Sequence, residues 1–438
     1  MSAFTDAGAY DAGDDGNAGD GGSSLPPGCG RRGHMPVPGA TPAPICSAAQ
    51  GDAGAAATLA ASDQAFAATL YEPAVTAVGT GQNVVFSPYS LSTVLEMVDV
   101  GAAGNTDAQM RTVLQLSDSA ANLASAYAAL ACANETDGSS QGDTLTMANA
   151  VWGQAGVPFQ SSFLSTLSTG YGAPLEQVDF AGNPSGALAG INQWVSTNTQ
   201  GIFPMLLQPG DVDTTTRIVL VDAIYFKGTW MQGFDPAQTA PRPFFLSDGT
   251  QVTVPTMLGT VAMWSGSASG VAVDELGYKD GALAMDFVFP TSPASSLTEL
   301  ESTLTPAVLQ AALASISAYS SLAKLQVPKF SFRTQLALAP ILTGMGMTDL
   351  FENGVANLSG IDGQMDLYVR TVVQQAMVEV DETGTVASAA TGAVGNCTFG
   401  IAEPIVVTID HPFLFLIRDT QSGSILFMGR VEDPRQQG

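Results

Sequence analysis

The order of segments along this chain predicts an α+β fold. Helical patterns gather near the beginning, strand-like runs rich in Val, Ile, Phe and Tyr crowd the later part, and the two do not alternate as a doubly wound α/β sheet requires. Large antiparallel or mixed sheets follow from that order. No internal repeat is visible.

Length and charge narrow the classes further. At roughly 150 residues per domain, 438 residues make two or three domains, or one large domain once a tail is removed. Fourteen Lys and Arg against 40 Asp and Glu give a net charge of −26, a field that repels phosphate backbones and anionic membranes. Nucleic acid is therefore not an expected partner. No apolar run reaches the roughly 18 residues of a membrane span, so no transmembrane segment is expected. Only His34 and His411 are available for an imidazole metal site or a Ser-His-Asp triad, and each sits beside proline-containing sequence. Cys29, Cys46, Cys132 and Cys397 lack CxxC spacing; if all four are oxidised, three pairings are open.

Residues 1–54 mix Gly, Ala, Asp and Pro and bury too little apolar surface to offset ordering, so they read as a disordered leader or tether. The DAGDDGNAGDGG stretch lacks the spacing and twelfth-position ligand of a calcium loop, and no metal is expected. No basic segment followed by an apolar one opens the chain; the expectation is that an export signal, of the lipoprotein kind or another, has been removed. The folded domain spans 55–434 and residues 435–438 read as a tail. Within the domain, Leu59, Phe66, Leu70 and Tyr71 fall at helical spacing up to Pro73. Leu91, Val94, Leu95 and Val98 make a second helix after Phe86-Ser87-Pro88, closed at Gly101. Helices follow at 106–116 and 120–132, and strands at 145–152, 217–226, 283–289, 324–332, 368–380, 405–409 and 425–431.

Six segments carry a resemblance: NVVFSPYSLSTVLEMVDVGAAGNT (83–106), DAIYFKGTW (222–230), VPKFSF (327–332), NLSGI (357–361), VEVDETGTVASAAT (378–391) and HPFLFLIRDTQSGSILFMGRV (411–431). In order and spacing the chain resembles the serpin family of serine protease inhibitors, over about 63–434. The resemblance implies three β-sheets, eight or nine helices, and an exposed reactive loop joining the central sheet to a short C-terminal strand.

The loop also speaks for itself. From Gly384 to Ala402 no residue is charged, and between Asp381 and Glu403 there is no proline, so every N–H is free to join a ladder. Thr385, Ala387, Ala389 and Thr391 would share one face of an inserted strand, and Val386, Ser388 and Ala390 the other; none is bulky. Gly384 is the expected hinge, preceded by Glu382. The mechanism the resemblance implies is a trap: a target serine protease cleaves the loop and is held as a covalent acyl complex when the loop enters the central sheet. A cysteine protease, which also forms an acyl-enzyme, is compatible.

Family spacing puts the reactive bond at Thr398-Phe399, within a window from Cys397 to Gly400. With no Lys or Arg between Arg370 and Arg418, the expected targets are elastase-, subtilisin- or chymotrypsin-like, not trypsin-like. By resemblance, Ser87 and Ser90 lie beneath the middle of the central sheet, where Asp222 and Gln374 replace the family's usual Asn and His, and the substituted pair is expected within ~3 Å. Lys329 and Glu382 match a salt-bridge pair near Trp230 where insertion begins. All six of Ser87, Ser90, Asp222, Gln374, Trp230 and Lys329 are thereby assigned to control of sheet opening. His411 reads as a packed, hydrogen-bonded residue rather than a catalytic one. The absence of Lys and Arg between Arg111 and Arg217 argues against a polyanion cofactor, and none of any kind is expected. A monomeric inhibitor, extracellular, cell-surface or periplasmic, is the resulting expectation; a non-inhibitory carrier or structural serpin, and then a serine hydrolase, are the alternatives.

Overall fold

The computed structural model describes residues 53–118, 120–138, 144–173, 175–279, 281–292, 295–382 and 403–437. The expected leader up to residue 52, and most of the loop, lie outside the described residues.

The helices of the first half are α1 (Ala53–Val78), α2 (Pro88–Asp99), α3 (Gly104–Val113), α4 (Ala120–Gly138), α5 (Ser161–Gly170) and α6 (Pro184–Asn198). The strands are β1 (Val84–Phe86), β2 (Thr144–Gln154), β3 (Glu176–Val178), β4 (Ile218–Lys227), β5 (Ala240–Phe245), β6 (Gln251–Ala268), β7 (Val271–Gly277), β8 (Leu283–Pro290), β9 (Ser321–Pro328), β10 (Phe330–Ala337), β11 (Val369–Val380), β12 (Ile405–Thr408), β13 (Phe413–Asp419) and β14 (Ile425–Val431). Four further short helices bring the α-helices among the described residues to ten, above the eight or nine expected, because single-turn pieces such as Ser359–Asp362 are included.

One sheet has the order β10-β11-β4-β2-β3. A second, nine-stranded path runs β1-β14-β13-β8-β7-β6-β9-β12, with β5 beside β6. Its two sections meet in β6: Gln251–Met263 pairs with β5 and β9, and Trp264–Ala268 with β7. Counting those sections separately gives the three sheets of the family fold.

Two departures from the expected elements have local causes. Helix α1 continues through Pro73 to Val78, although an interior proline removes one backbone bond at about 3 kcal/mol. Ala74 is buried, Val75 and Val78 pack on the core, and Arg430 donates to the Gly79 carbonyl at 3.1 Å, so tertiary contacts hold the last turn. The apolar run expected as one strand over 324–332 is two, broken at Lys329, where the chain crosses from one sheet to the other. Residues 435–437 are no loose tail: Gln436 bonds Gly81 and Asn83, and Arg435 pairs with Asp433 at 2.7 Å.

Both faces of the five-stranded sheet are covered. Ile218, Leu220, Ile224 and Phe226 of β4 join the main core on the α2 side, while Val219, Val221, Ala223 and Tyr225 pack in a second cluster with Ile191 and Trp194 of α6. Strand β4 is accordingly buried through nine of its ten positions and reads as a continuous apolar run broken only by Asp222. Helix α2 is buried on every side, begins with Ser87 accepting from Ser90 N at 3.0 Å, and has Pro88 in its first turn.

Close packing in the second sheet depends on Gly429, which lies between Val85 and Phe415; a Cβ there would come within 2.2 Å of the Val84 carbonyl oxygen and 2.7 Å of the Phe415 ring. Gly429→Ala is expected to lower stability by about 1–3 kcal/mol in urea unfolding; an unchanged midpoint would show that these strands part freely.

Candidate functional site

Among the described residues, strands β11 and β4 are the only parallel pair in the interior of the five-stranded sheet, in unbroken register from Thr371↔Val219 to Val378↔Phe226, with a bulge between that run and Val369↔Ile218. Their neighbours on either side, β10 and β2, are antiparallel to them. Since Lys227 and Val369 are 142 positions apart in sequence, no turn ties one strand to the other. Polar contacts cross this seam at three levels.

At the middle level, Asn149, Asp222 and Gln374 lie side by side on β2, β4 and β11. Gln374 Nε2 donates to Asp222 Oδ2 at 2.6 Å, so the expected contact is present. The first turn of α2 covers them. Ser87 N donates to Gln374 Oε1 at 2.9 Å, and Gln374 Nε2 donates to the Ser87 carbonyl at 2.8 Å. Ser90 Oγ lies 2.7 Å from Asp222 Oδ1 and 2.9 Å from Asn149 Oδ1. One hydroxyl proton serves only one of those oxygens; a protonated Asp222 donates to Ser90, which then donates to Asn149. Burial favours that state, raising the Asp222 carboxyl to about 7 against the hydrogen bonds from Ser90 and Gln374.

At the upper level, the end of β11 is held from several directions. Trp230 Nε1 donates to the Asp381 carbonyl at 2.8 Å and Phe234 N to the Glu382 carbonyl at 2.9 Å. Lys329 and Thr239 reach the two oxygens of the Glu382 carboxylate at 2.6 and 2.7 Å. Burial works to raise the Glu382 carboxyl, but these two donors outweigh it and hold it below its ordinary range. Just below, Lys227 pairs with Glu379 across the seam at 3.2 Å. Trp230 is at once a core residue, stacked on Tyr278 at 4.6 Å, and a fastener of β11. At the lower level, Arg370 pairs with Asp213 at 3.4 Å and Thr371 Oγ1 donates to the Asp211 carbonyl at 2.8 Å.

Ser87, Ser90, Asp222 and Gln374 thus come together at one place, and Trp230, Lys329 and Glu382 at another. Asn149 escapes the sequence reading, although an Asn inside the apolar run MANAVW is the kind of buried polar residue that needs partners. Thr239 has no local signal, because its contact joins elements 143 residues apart. His411 is hydrogen-bonded to Asp410 at 2.7 Å and stacked on Phe245, but its side chain is 67% exposed rather than packed. Cys132 is disulfide-bonded, and the other three cysteines lie outside the described residues. So do the hinge residues Gly384, Thr385, Val386, Ala387, Ser388, Ala389, Ala390 and Thr391, and the window from Cys397 to Gly400 with Thr398 and Phe399. Among the described residues, no group of three or more His, Cys, Asp or Glu could hold a metal ion.

The family model described as serpin (serine protease inhibitor) matches residues 61–434. The chain belongs to the serpin family. Leukocyte elastase inhibitor A of Mus musculus is 34% identical over 381 residues, 86% of this chain and 99% of that one. Among solved structures, the native stressed conformation of Arabidopsis AtSerpin1 superposes with a TM-score of 0.77 at 29% identity, covering 87% of this serpin and 99% of that chain. Native protease nexin-1 with heparin gives 0.75 at 27%, covering 86% and 100%. A protease inhibitor, not an enzyme, is what these relationships establish, and the serine-hydrolase alternative falls with them.

Asp222 has a folded value near 7 and an ordinary value of 3.8. Its contribution to stability is therefore full below about pH 4 and lost as pH rises through about 7, a change on the order of 4 kcal/mol at full ionisation. Asp222→Asn is expected to flatten that part of the stability–pH curve between pH 4 and 8 in urea unfolding. Parallel curves for the two proteins would mean that Asp222 ionises in the fold as it does in water.

Proposed function

We propose that this serpin is a suicide inhibitor whose cleaved loop enters the seam between β4 and β11 and traps the attacking protease as its acyl-enzyme. The observation that carries the reading is the direct parallel pairing of those strands, followed immediately by a neutral, slender, proline-free segment. A segment that leaves the top of β11 and folds back between the two strands runs antiparallel to both. One parallel ladder is then exchanged for two antiparallel ones, which are slightly more stable per residue. Roughly ten additional hydrogen bonds at a net ~0.5–1.5 kcal/mol each supply a driving force on the order of 10 kcal/mol.

The upper and middle levels of contact have distinct roles in this reading. Trp230 holds Asp381, and Lys329 and Thr239 hold Glu382, at the point where entry begins, and release of that grip starts the opening. Ser87, Ser90, Asn149, Asp222 and Gln374 form the central barrier, with Asp222 and Gln374 supplying the bond that must break. Gly384 to Thr391 make the inserting hinge segment, and cleavage falls at Thr398-Phe399 within the Cys397–Gly400 window.

Small-apolar or aromatic residues in that window suit elastase-, subtilisin- or chymotrypsin-like proteases, and a relative named as an elastase inhibitor at 34% identity points the same way. The protein acts as a monomer on a covalently bound target protease, of the serine or the cysteine type. Its disulfide at Cys132 suits an oxidising compartment, outside the cell or in a periplasm.

The test is incubation with pancreatic elastase, subtilisin and chymotrypsin, followed by denaturing electrophoresis and mass mapping of the cut. A band that survives denaturation is expected from at least one protease. Thr385→Arg and Ala387→Arg are expected to abolish that band while leaving the loop cleavable; undiminished trapping by both variants would contradict insertion.

A further inference from the structure

The described chain resumes after the loop at Glu403 and runs into β12, which pairs on one side with β9 and ends the nine-stranded path. Edge strands normally carry charge, proline or a covering element that blocks adventitious pairing. Ile405–Thr408 has no charged residue, and Val406 is 68% exposed. Opposite Val406 in register stands Lys324, which, like Arg217, Arg242, Lys279 and Arg333, has no ion pair among the described residues. Leu322, two residues along β9 on the same outward face, is 43% exposed. Lateral and diagonal strand neighbours lie about 5–8 Å apart. Val406, Leu322 and Lys324 thus form one outward patch, apolar with a single free positive charge.

From this placement we infer that the patch is a secondary docking surface for the body of the target protease, on the side of its cleft that takes the residues after the cut. The inference rests on the trapping mechanism proposed above. Glu403 lies four positions and Val406 seven positions after Phe399, so the Cα atoms lie at most about 14 and 24 Å from that of Phe399 even with the chain fully extended. A globular protease of about 200–250 residues has a radius of gyration near 17 Å, hence a radius of about 22 Å. An enzyme holding the 398–399 bond in its cleft therefore overhangs the near end of β12. The partner surface that fits is apolar, with a carboxylate or carbonyl oxygen placed for Lys324. Because trapping follows a reversible encounter, contacts that slow dissociation raise the fraction of encounters that reach acylation. They do so without affecting what happens after cleavage.

The full-length chain and its Val406→Asp, Leu322→Asp and Lys324→Glu variants should be compared for second-order association rate with whichever of pancreatic elastase, subtilisin and chymotrypsin the unsubstituted chain traps. Thermal unfolding and size-exclusion chromatography accompany each. Val406→Asp and Leu322→Asp are expected to slow association about tenfold, and Lys324→Glu about three- to tenfold. The number of inhibitor molecules consumed per protease and the melting temperature should stay constant. Association within twofold of the unsubstituted chain for all three would overturn the surface while leaving the trap intact. A dimer of the unsubstituted chain that Val406→Asp converts to monomer would also overturn it, assigning the patch to a second copy. Failure of the unsubstituted chain to trap any of the three proteases removes the mechanism and the docking surface together, a result distinguishable from either of the others.

Discussion

Strands β4 and β11 lie parallel and adjacent in a sheet whose other interior pairings are antiparallel, and the protein's organisation follows from keeping that pair closed but separable. A buried bond between Gln374 and Asp222 holds the middle, and charged or hydroxyl groups hold both ends. Closure cannot rest on apolar packing alone. On the proposed mechanism the facing edges of the two strands also accept a third strand, and the hydrogen bonds that now join them are remade to it. Polar fasteners suit that requirement, since each is worth little in isolation and each can be exchanged for another partner.

Asp222 shows how the acidity of the chain enters the interior. Its carboxyl is fully buried without a cation, and burial holds it near 7. Asp63, beside Ser92 of α2, is raised to about 7 by burial as well, and Glu275 to about 7 by burial and the nearby Asp286, against the pull of Arg418. Each of these groups favours the fold more in acid than at neutral pH, so the closed seam and the surrounding core share one direction of pH response.

How much of this is legible in the sequence depends on the range of the interaction. The strand Ile425–Val431 can be read to the residue because its signal, a short apolar run, is local, and Lys329 with Glu382 is legible through the motifs that contain them. The family resemblance also brings Asp222 and Gln374 together, and the geometry supplies the reason: they are register partners on adjoining strands. The break at Lys329 is invisible because apolar residues continue on both sides while the chain changes sheets. Asn149 and Thr239 escape for a related reason. Their importance comes from partners 59 and 143 residues away, and nothing in their own neighbourhood specifies those partners. The long strand β6 is hidden because its two halves serve different sheets, and no single alternation runs through its 18 residues.

The central claim is that the closed seam is not the most stable arrangement of this polypeptide. It is tested most directly by cutting the loop with a protease that the serpin does not trap and comparing thermal unfolding of the nicked and intact proteins. On this account the nicked chain melts well above the intact one, because two ladders have replaced one. Equal or lower melting after the cut would contradict it.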